Sequence, residues 1–233
     1  AVFTQTPWIV VSSFIIALTA LSAGISAAIY TTAFLAITGL VGLWVLSMQT
    51  LALLGTAALI AIGLGIPLGI FCARRPRAYA IVRPILDFQQ TMPAFVYMIP
   101  IILFFGAGKP AAVVTCLIFG MPPTVRLTVL GLNGVPESIR EAAIAYGASK
   151  WYLMTRIDLP LAAPSIRAGM NQTILLSLLT VVVASLIGAK GLGEKVLEAL
   201  QYADVGQGLL AGFAILFLAM ILDRIVQGRR KRV

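Results

Sequence analysis

The chain has 233 residues, 60% of them apolar and 11% charged, with a mean hydropathy of +1.02. A soluble domain carries about 25% charged residues, so this composition excludes an ordinary soluble enzyme or binding module. The net charge of +9 gathers at the ends of apolar runs, as the positive-inside rule expects, which argues against nucleic acid as a partner.

Apolar runs of about 20 residues recur, the length that crosses ~30 Å of hydrocarbon. A membrane barrel would show alternating segments of about 10 residues instead. The expected fold is all-α, a polytopic transmembrane helical bundle of about seven helices. The chain opens at Ala1 without methionine, which implies a boundary upstream. Its first run, 8–24, lacks a basic start and reads as a retained helix, not a signal peptide. A small-residue turn leads to 27–46, and residues 1–46 form an N-terminal hairpin ahead of a core at 47–226.

The third run, 50–72, carries Gly65 and Gly69 at small-xxx-small spacing around Pro67, predicting close helix packing with a kink. No G-K-[ST] follows, so these glycines are not a phosphate loop. The fourth run, 84–105, contains Pro84, Pro93 and Pro100, and the fifth, 110–130, is expected to break at Pro122-Pro123. A polar stretch, 131–163, precedes the sixth run at 164–188 and the seventh at 206–226. A basic tail closes the chain at 227–233. Cys72 and Cys116 lie in or beside apolar runs without metal or redox spacing. Histidine is absent, which removes Ser-His triads and most zinc sites, so no catalytic or metal-binding residue is expected.

With the tail placed in the cytoplasm, fourteen Lys and Arg fall inside, and only Lys109, Lys190 and Lys195 fall outside. That bias predicts the N-terminus out, the C-terminus in, and 131–163 cytoplasmic. Within this stretch Ile139, Ala142, Ala143 and Tyr146 recur at three- and four-residue spacing, predicting a short amphipathic helix opened by Pro136. Gly147 permits a chain reversal. A second helix, about Ser149 to Arg156, is expected to stop ahead of Leu159-Pro160. The residues alone leave two uses open: a loop lying on inner headgroups, or a low-profile knob for another protein.

Glu141-Ala142-Ala143, Gly147, Ile157 and Leu159-Pro160 stand at the spacing of one pattern, and the stretch resembles the EAA loop of ABC-importer permeases. The resemblance implies a type I permease fold, multi-pass in the bacterial inner membrane. It makes Glu141, Ala142, Ala143, Gly147, Ile157, Leu159 and Pro160 a coupling loop that docks on an ATP-hydrolysing subunit. The partners it implies are a second permease copy, two cytoplasmic ABC ATPase subunits and an extracytoplasmic substrate-binding protein, with membrane lipid around them. This chain has no P-loop. ATP and magnesium are therefore expected on the ATPase subunits, with no cofactor and no enzymatic activity on this chain.

The stretches RPILDFQQTMPAFVYMIPIILFFGAG (83–108), MPPTVRLTVLGLNGVP (121–136) and AGMNQTILLSLLTVVVASLIGAKGLG (168–193) resemble permease subunits of glycine betaine/proline betaine importers. Relatives of this type also import choline, carnitine or histidine. A quaternary ammonium cannot shed its charge, and aromatic faces attract it. Polar residues inside a membrane face a cavity or another helix. The candidate translocation pathway is accordingly Thr91, Pro93, Phe95 and Tyr97 in the fourth run and Asn171, Gln172, Ser177 and Thr180 in the sixth. Helix–helix packing is the alternative for each. Arg83 and Asp87 are expected to pair at i,i+4. An amphipathic stretch around Val196, Leu200 and Tyr202 either meets the binding protein or caps the outer mouth. The rival from another class, an ion-coupled secondary transporter, would favour acidic residues at mid-membrane; here they sit at segment ends or in loops.

Overall fold

The computed structural model describes residues 7–227, and every element among them is helical. A hairpin of α1 (Trp8–Ala23) and α2 (Ile25–Leu40) leads into α3 (Trp44–Arg74). Then come α4 (Pro76–Thr91), α5 (Ala94–Phe105), α6 (Lys109–Asn133) and the short α7 (Glu137–Ala145). The chain continues through α8 (Lys150–Ser185), α9 (Leu192–Tyr202) and α10 (Val205–Gln227). The basic residues 229–232 lie outside the described residues.

Four of the helices, α3, α6, α8 and α10, are long and apolar enough to cross a membrane. The expected fourth span is broken: α4 and α5 meet at 101° across Met92-Pro93. α1 and α2, with 16 residues each, rise only ~24 Å against a ~30 Å hydrocarbon core. By length, the expected seven thus resolve into four full spans, one bent pair and two short helices. The second expected run, 27–46, is itself divided, because Leu43 N–H bonds back to Thr38 C=O at 3.0 Å and closes α2 early.

α6 lies between α3 and α8, and small residues set the separation on both flanks. A Cβ on Gly65 would stand 2.9 Å from Thr124 Cγ2, and one on Gly69 2.6 Å from Thr128 Cβ. The small-xxx-small spacing therefore marks a real close approach of α3 to α6. On the other flank Gly120 faces Ser177 and Gly169 faces Leu127. Thr173 Oγ1 donates to Gly120 C=O at 2.7 Å and shares a 2.7 Å hydrogen bond with Thr124 Oγ1. Pro122 and Pro123 do not break α6 as expected; both are buried in its interior. Packing on two sides holds the helix through the missing donors, as neighbouring helices do inside membranes.

Replacing Thr173 by valine keeps the shape of this seam and removes both bonds. The expected cost is about 1–2 kcal/mol, seen as a lower thermal unfolding temperature of the detergent-solubilised chain. Thr173→Ser should stay near the parent. The N-terminal hairpin rests on α10 through Phe34 and Phe217, whose ring centroids are 4.2 Å apart, with Val11, Ile15, Leu218 and Ile221 around them.

Candidate functional site

α7 contains no buried residue. Its apolar face exists as the periodicity predicts, and none of the described residues covers it: Ile139, Ala142 and Tyr146 are exposed, Tyr146 at 94%, with Ala143 half-buried. Glu141 is exposed beside them. The helix ends in a Schellman turn, with Gly147 N–H bonded to Ile144 C=O at 2.8 Å and Ala148 N–H to Ala143 C=O at 3.0 Å. Gly147 holds φ at +80°, the left-handed conformation that turn requires. Ser149 then caps α8, its Oγ accepting from Tyr152 N–H at 3.2 Å. Trp151 adds a second bare ring.

The second helix of the loop does not stop at Leu159-Pro160. Residues Leu153–Asp158 form a π-turn in which Leu159 N–H reaches Met154 C=O, and α8 runs on to Ser185. Pro160 enters the first turn of the α-helical portion that follows, where its missing N–H is tolerated. Ile157 and Leu159 are half-buried around this turn and Pro160 is exposed.

Sequence reasoning missed Asp158, which occupies a variable place in the loop pattern. It is only 3% exposed, and its carboxylate accepts from Arg140 Nε at 2.9 Å and from Arg74 Nη2 at 3.2 Å. Arg140 also reaches Glu137 Oε2 at 3.3 Å and Leu132 C=O at 2.7 Å. The hydrogen bond with Asp158 pushes the Arg140 pKa above its ordinary value, against the opposing effect of partial desolvation. A cleft of about 190 Å³ opens beside this cluster, between Arg74, Asn133, Ile144 and Lys150.

The pathway candidates divide into two groups. Thr91, Pro93 and Phe95 come together, exposed, at the break between α4 and α5, where Met92 is extended ahead of the proline. Tyr97 is buried, and its hydroxyl and the enclosed Asn171 Oδ1 have no hydrogen-bond partner among the described residues; Gln172 is exposed. Ser177 and Thr180 lie buried instead. Ser177 Oγ donates to Thr173 C=O at 2.8 Å, and Thr180 Oγ1 lies 3.1 Å from Cys116 Sγ on α6. Asp87 pairs across helices, with Arg126 Nη2 at 2.6 Å, more closely than with Arg83 at 4.0 Å. At the other end of the bundle α9 is pinned by Leu192 N–H to Thr50 Oγ1 at 2.8 Å, leaving Leu200 and Tyr202 exposed. Lys195 and then Gln207, hydrogen-bonded to Glu198, hold its carboxyl below the ordinary range.

Residues 65–233 match the family described as binding-protein-dependent transport system inner membrane component. The chain belongs to that family. Among its relatives is the glycine betaine/proline betaine transport system permease protein ProW of Escherichia coli K12. It is 46% identical over 211 residues, covering 90% of this chain and 60% of ProW. The glycine betaine/carnitine transport permease protein GbuB of Listeria monocytogenes is 46% identical over 84% of this chain and 71% of its own length. The trimethylamine N-oxide transport system permease protein TmoV of Pelagibacter ubique is 34% identical over 94% of this chain and 30% of TmoV. This inner membrane component thus spans 60% of the length of its ProW relatives. In fold it resembles a chain of the MetNI methionine ABC transporter in an inward facing conformation. The TM-score is 0.64 at 24% identity, covering 79% of this chain and 91% of the other. The matched region of the inner membrane component includes α4 to α10, and so the loop, the Asp158 cluster and the α4–α5 break, but neither α1 nor α2.

Proposed function

We propose that this chain is the transmembrane permease subunit of an ATP-driven ABC importer for a quaternary-amine compatible solute such as glycine betaine or proline betaine. The observation that carries the reading is α7: an uncovered apolar helix bearing Glu141, Ala142 and Ala143, joined through Gly147 to the uninterrupted spanning helix α8. α7 carries two carboxylates, Glu137 and Glu141, against one guanidinium, Arg140, so the helix itself offers no basic cluster to an anionic inner leaflet. They form a polar rim for a docked protein instead. The relatives named for betaines and carnitine support the substrate class.

In this reading two copies of the chain form one passage, with the N-terminus outside and the C-terminus inside. Two cytoplasmic subunits carry ATP and magnesium and grip the α7 loops, so hydrolysis takes place off this chain. A binding protein delivers substrate to the outer end, beside α9. The passage runs by the α4–α5 break, where Thr91, Pro93 and Phe95 are open, with Tyr97, Asn171 and Gln172 supplying polar atoms. Ser177 and Thr180 hold the wall behind it.

Ala142 is exposed, so Ala142→Arg should leave folding intact. It is expected to release the ATPase subunits from the purified assembly and to cut ATP-driven betaine uptake into vesicles by roughly tenfold or more. Uptake at parental rate, driven by an ion gradient without ATP, would overturn the reading.

A further inference from the structure

We infer that the Arg74–Asp158–Arg140 bridge positions the α7 loop and carries its displacement into α3 as well as α8. The inference rests on the reading of α7 as the docking helix.

Four segments converge on the bridge. Arg74 is the last residue of α3, Arg140 belongs to α7, Asp158 ends the π-turn of α8, and Leu132 offers its carbonyl from the end of α6. α7 has no buried side chain to anchor it, and its covalent link to α8 passes through the left-handed Gly147. The short link 134–136, with Val135 buried, ties the start of α7 to α6, and the side chain that ties α7 to the spanning helices is Arg140, which bonds Asp158 on one side and Leu132 on the other.

The π-turn explains why Asp158 can serve. One extra residue in a turn rotates everything beyond it by about 100° relative to a regular α-helix. The widened turn thereby sets the Asp158 carboxylate where both guanidiniums reach it, although they lie 18 and 84 residues away in sequence. Asp158 itself is enclosed, so losing Arg140, the closer and less exposed partner, leaves a desolvated charge under-compensated. Arg74 differs: its side chain is 45% exposed and borders the cleft. Water can take over its donors when it lets go. The bridge thus has a fixed half, Arg140–Asp158, and a half able to open, Arg74–Asp158.

Arg74→Gln cuts the link to α3 and spares the link between α7 and α8. With the full assembly in vesicles, the ATP hydrolysed per betaine transported should rise about fivefold or more, with the ATPase subunits still bound and the KM for ATP unchanged. Arg74→Lys, which keeps the charge, should restore the ratio towards the parent. Asp158→Asn, which weakens both halves, should raise it further than R74Q. A parental ratio in R74Q overturns the inference. So does an equal fall of hydrolysis and transport, since a merely structural role would produce that. If R74Q fails to assemble, R74K against D158N gives the same comparison, and equal ratios in those two also overturn it. In each of these cases the Ala142→Arg defect would persist, whereas failure of the docking reading itself would abolish that defect.

Discussion

Gly69→Ala is expected to destabilise the chain more than any other single methyl added to α3. The new carbon would lie 2.6 Å from Thr128 Cβ and 3.0 Å from Val125 O, atoms that cannot rotate away. α3 and α6 must separate, and the cost falls at the upper end of the about 1–3 kcal/mol typical of overpacking. Two internal controls make the measurement specific. Gly55 and Gly63 lie on the same helix, and among the described residues no atom packed against them from beyond the neighbouring helix backbone comes within 4 Å of an added Cβ. Alanine at either should stabilise, by up to about 1 kcal/mol of helix propensity. Gly65→Ala gives an intermediate case, because its first contact is Thr124 Cγ2 at 2.9 Å. Thr124→Ser removes that methyl while keeping the hydroxyl bonded to Thr173, so the pair should recover part of the loss. Thr128→Ser should not rescue Gly69→Ala, since Cβ itself is the obstacle. Thermal unfolding in detergent of all six chains would settle the order.

The second large effect is expected at Gly147, and it should appear in transport without appearing in folding. A Cβ there meets nothing within 4 Å, so the whole penalty is conformational. Holding an L-residue at φ +80° costs about 1–2 kcal/mol, less for asparagine and more for a β-branched residue. The strain is relieved by undoing the Schellman turn, which displaces α7 relative to α8. ATP-driven uptake should therefore fall in the order Gly, Asn, Ala, Val, with Gly147→Val lower by about tenfold or more. Unfolding temperatures should stay together, because α7 contributes no buried residue. Parental uptake by Gly147→Val would show that the turn is dispensable.

What the sequence made legible is what local spacing encodes. The apolar face of α7 followed from a three- and four-residue rhythm, and the Gly65–Gly69 approach from a four-residue repeat of small side chains. The Gly147 turn followed from one residue type suited to one conformation. The prolines were the main source of error, because their local effect depends on what surrounds them. Pro93 ends a helix, while Pro67, Pro84, Pro100, Pro122 and Pro123 lie inside continuous ones. Two of these are held by the packing of α6, which no local window contains. Pro160 follows a π-turn whose extra residue sequence periodicity does not reveal. Asp158 was invisible for a different reason, since its meaning lies in two arginines that only the fold brings near. The Asp87–Arg126 pair, 39 residues apart, escaped the same way, while the weaker Arg83 contact, four residues away, was the one a local rule could find.

The tight seams of α6 also constrain how the molecule can change shape. At Gly69, Gly120 and Gly131 a Cβ would stand under 3 Å from the facing helix, so only glycine lets α6 lie this close to α3 on one side and α8 on the other. Such surfaces cannot slide past one another without first coming apart. The middle stretches of the three helices therefore move as one unit, while the end of α3 beyond Gly69 keeps its own link to α8 through Arg74 and Asp158. A change of shape tilts that unit, with the bending left to links outside it, at Met92-Pro93 and at the Arg74–Asp158 bridge.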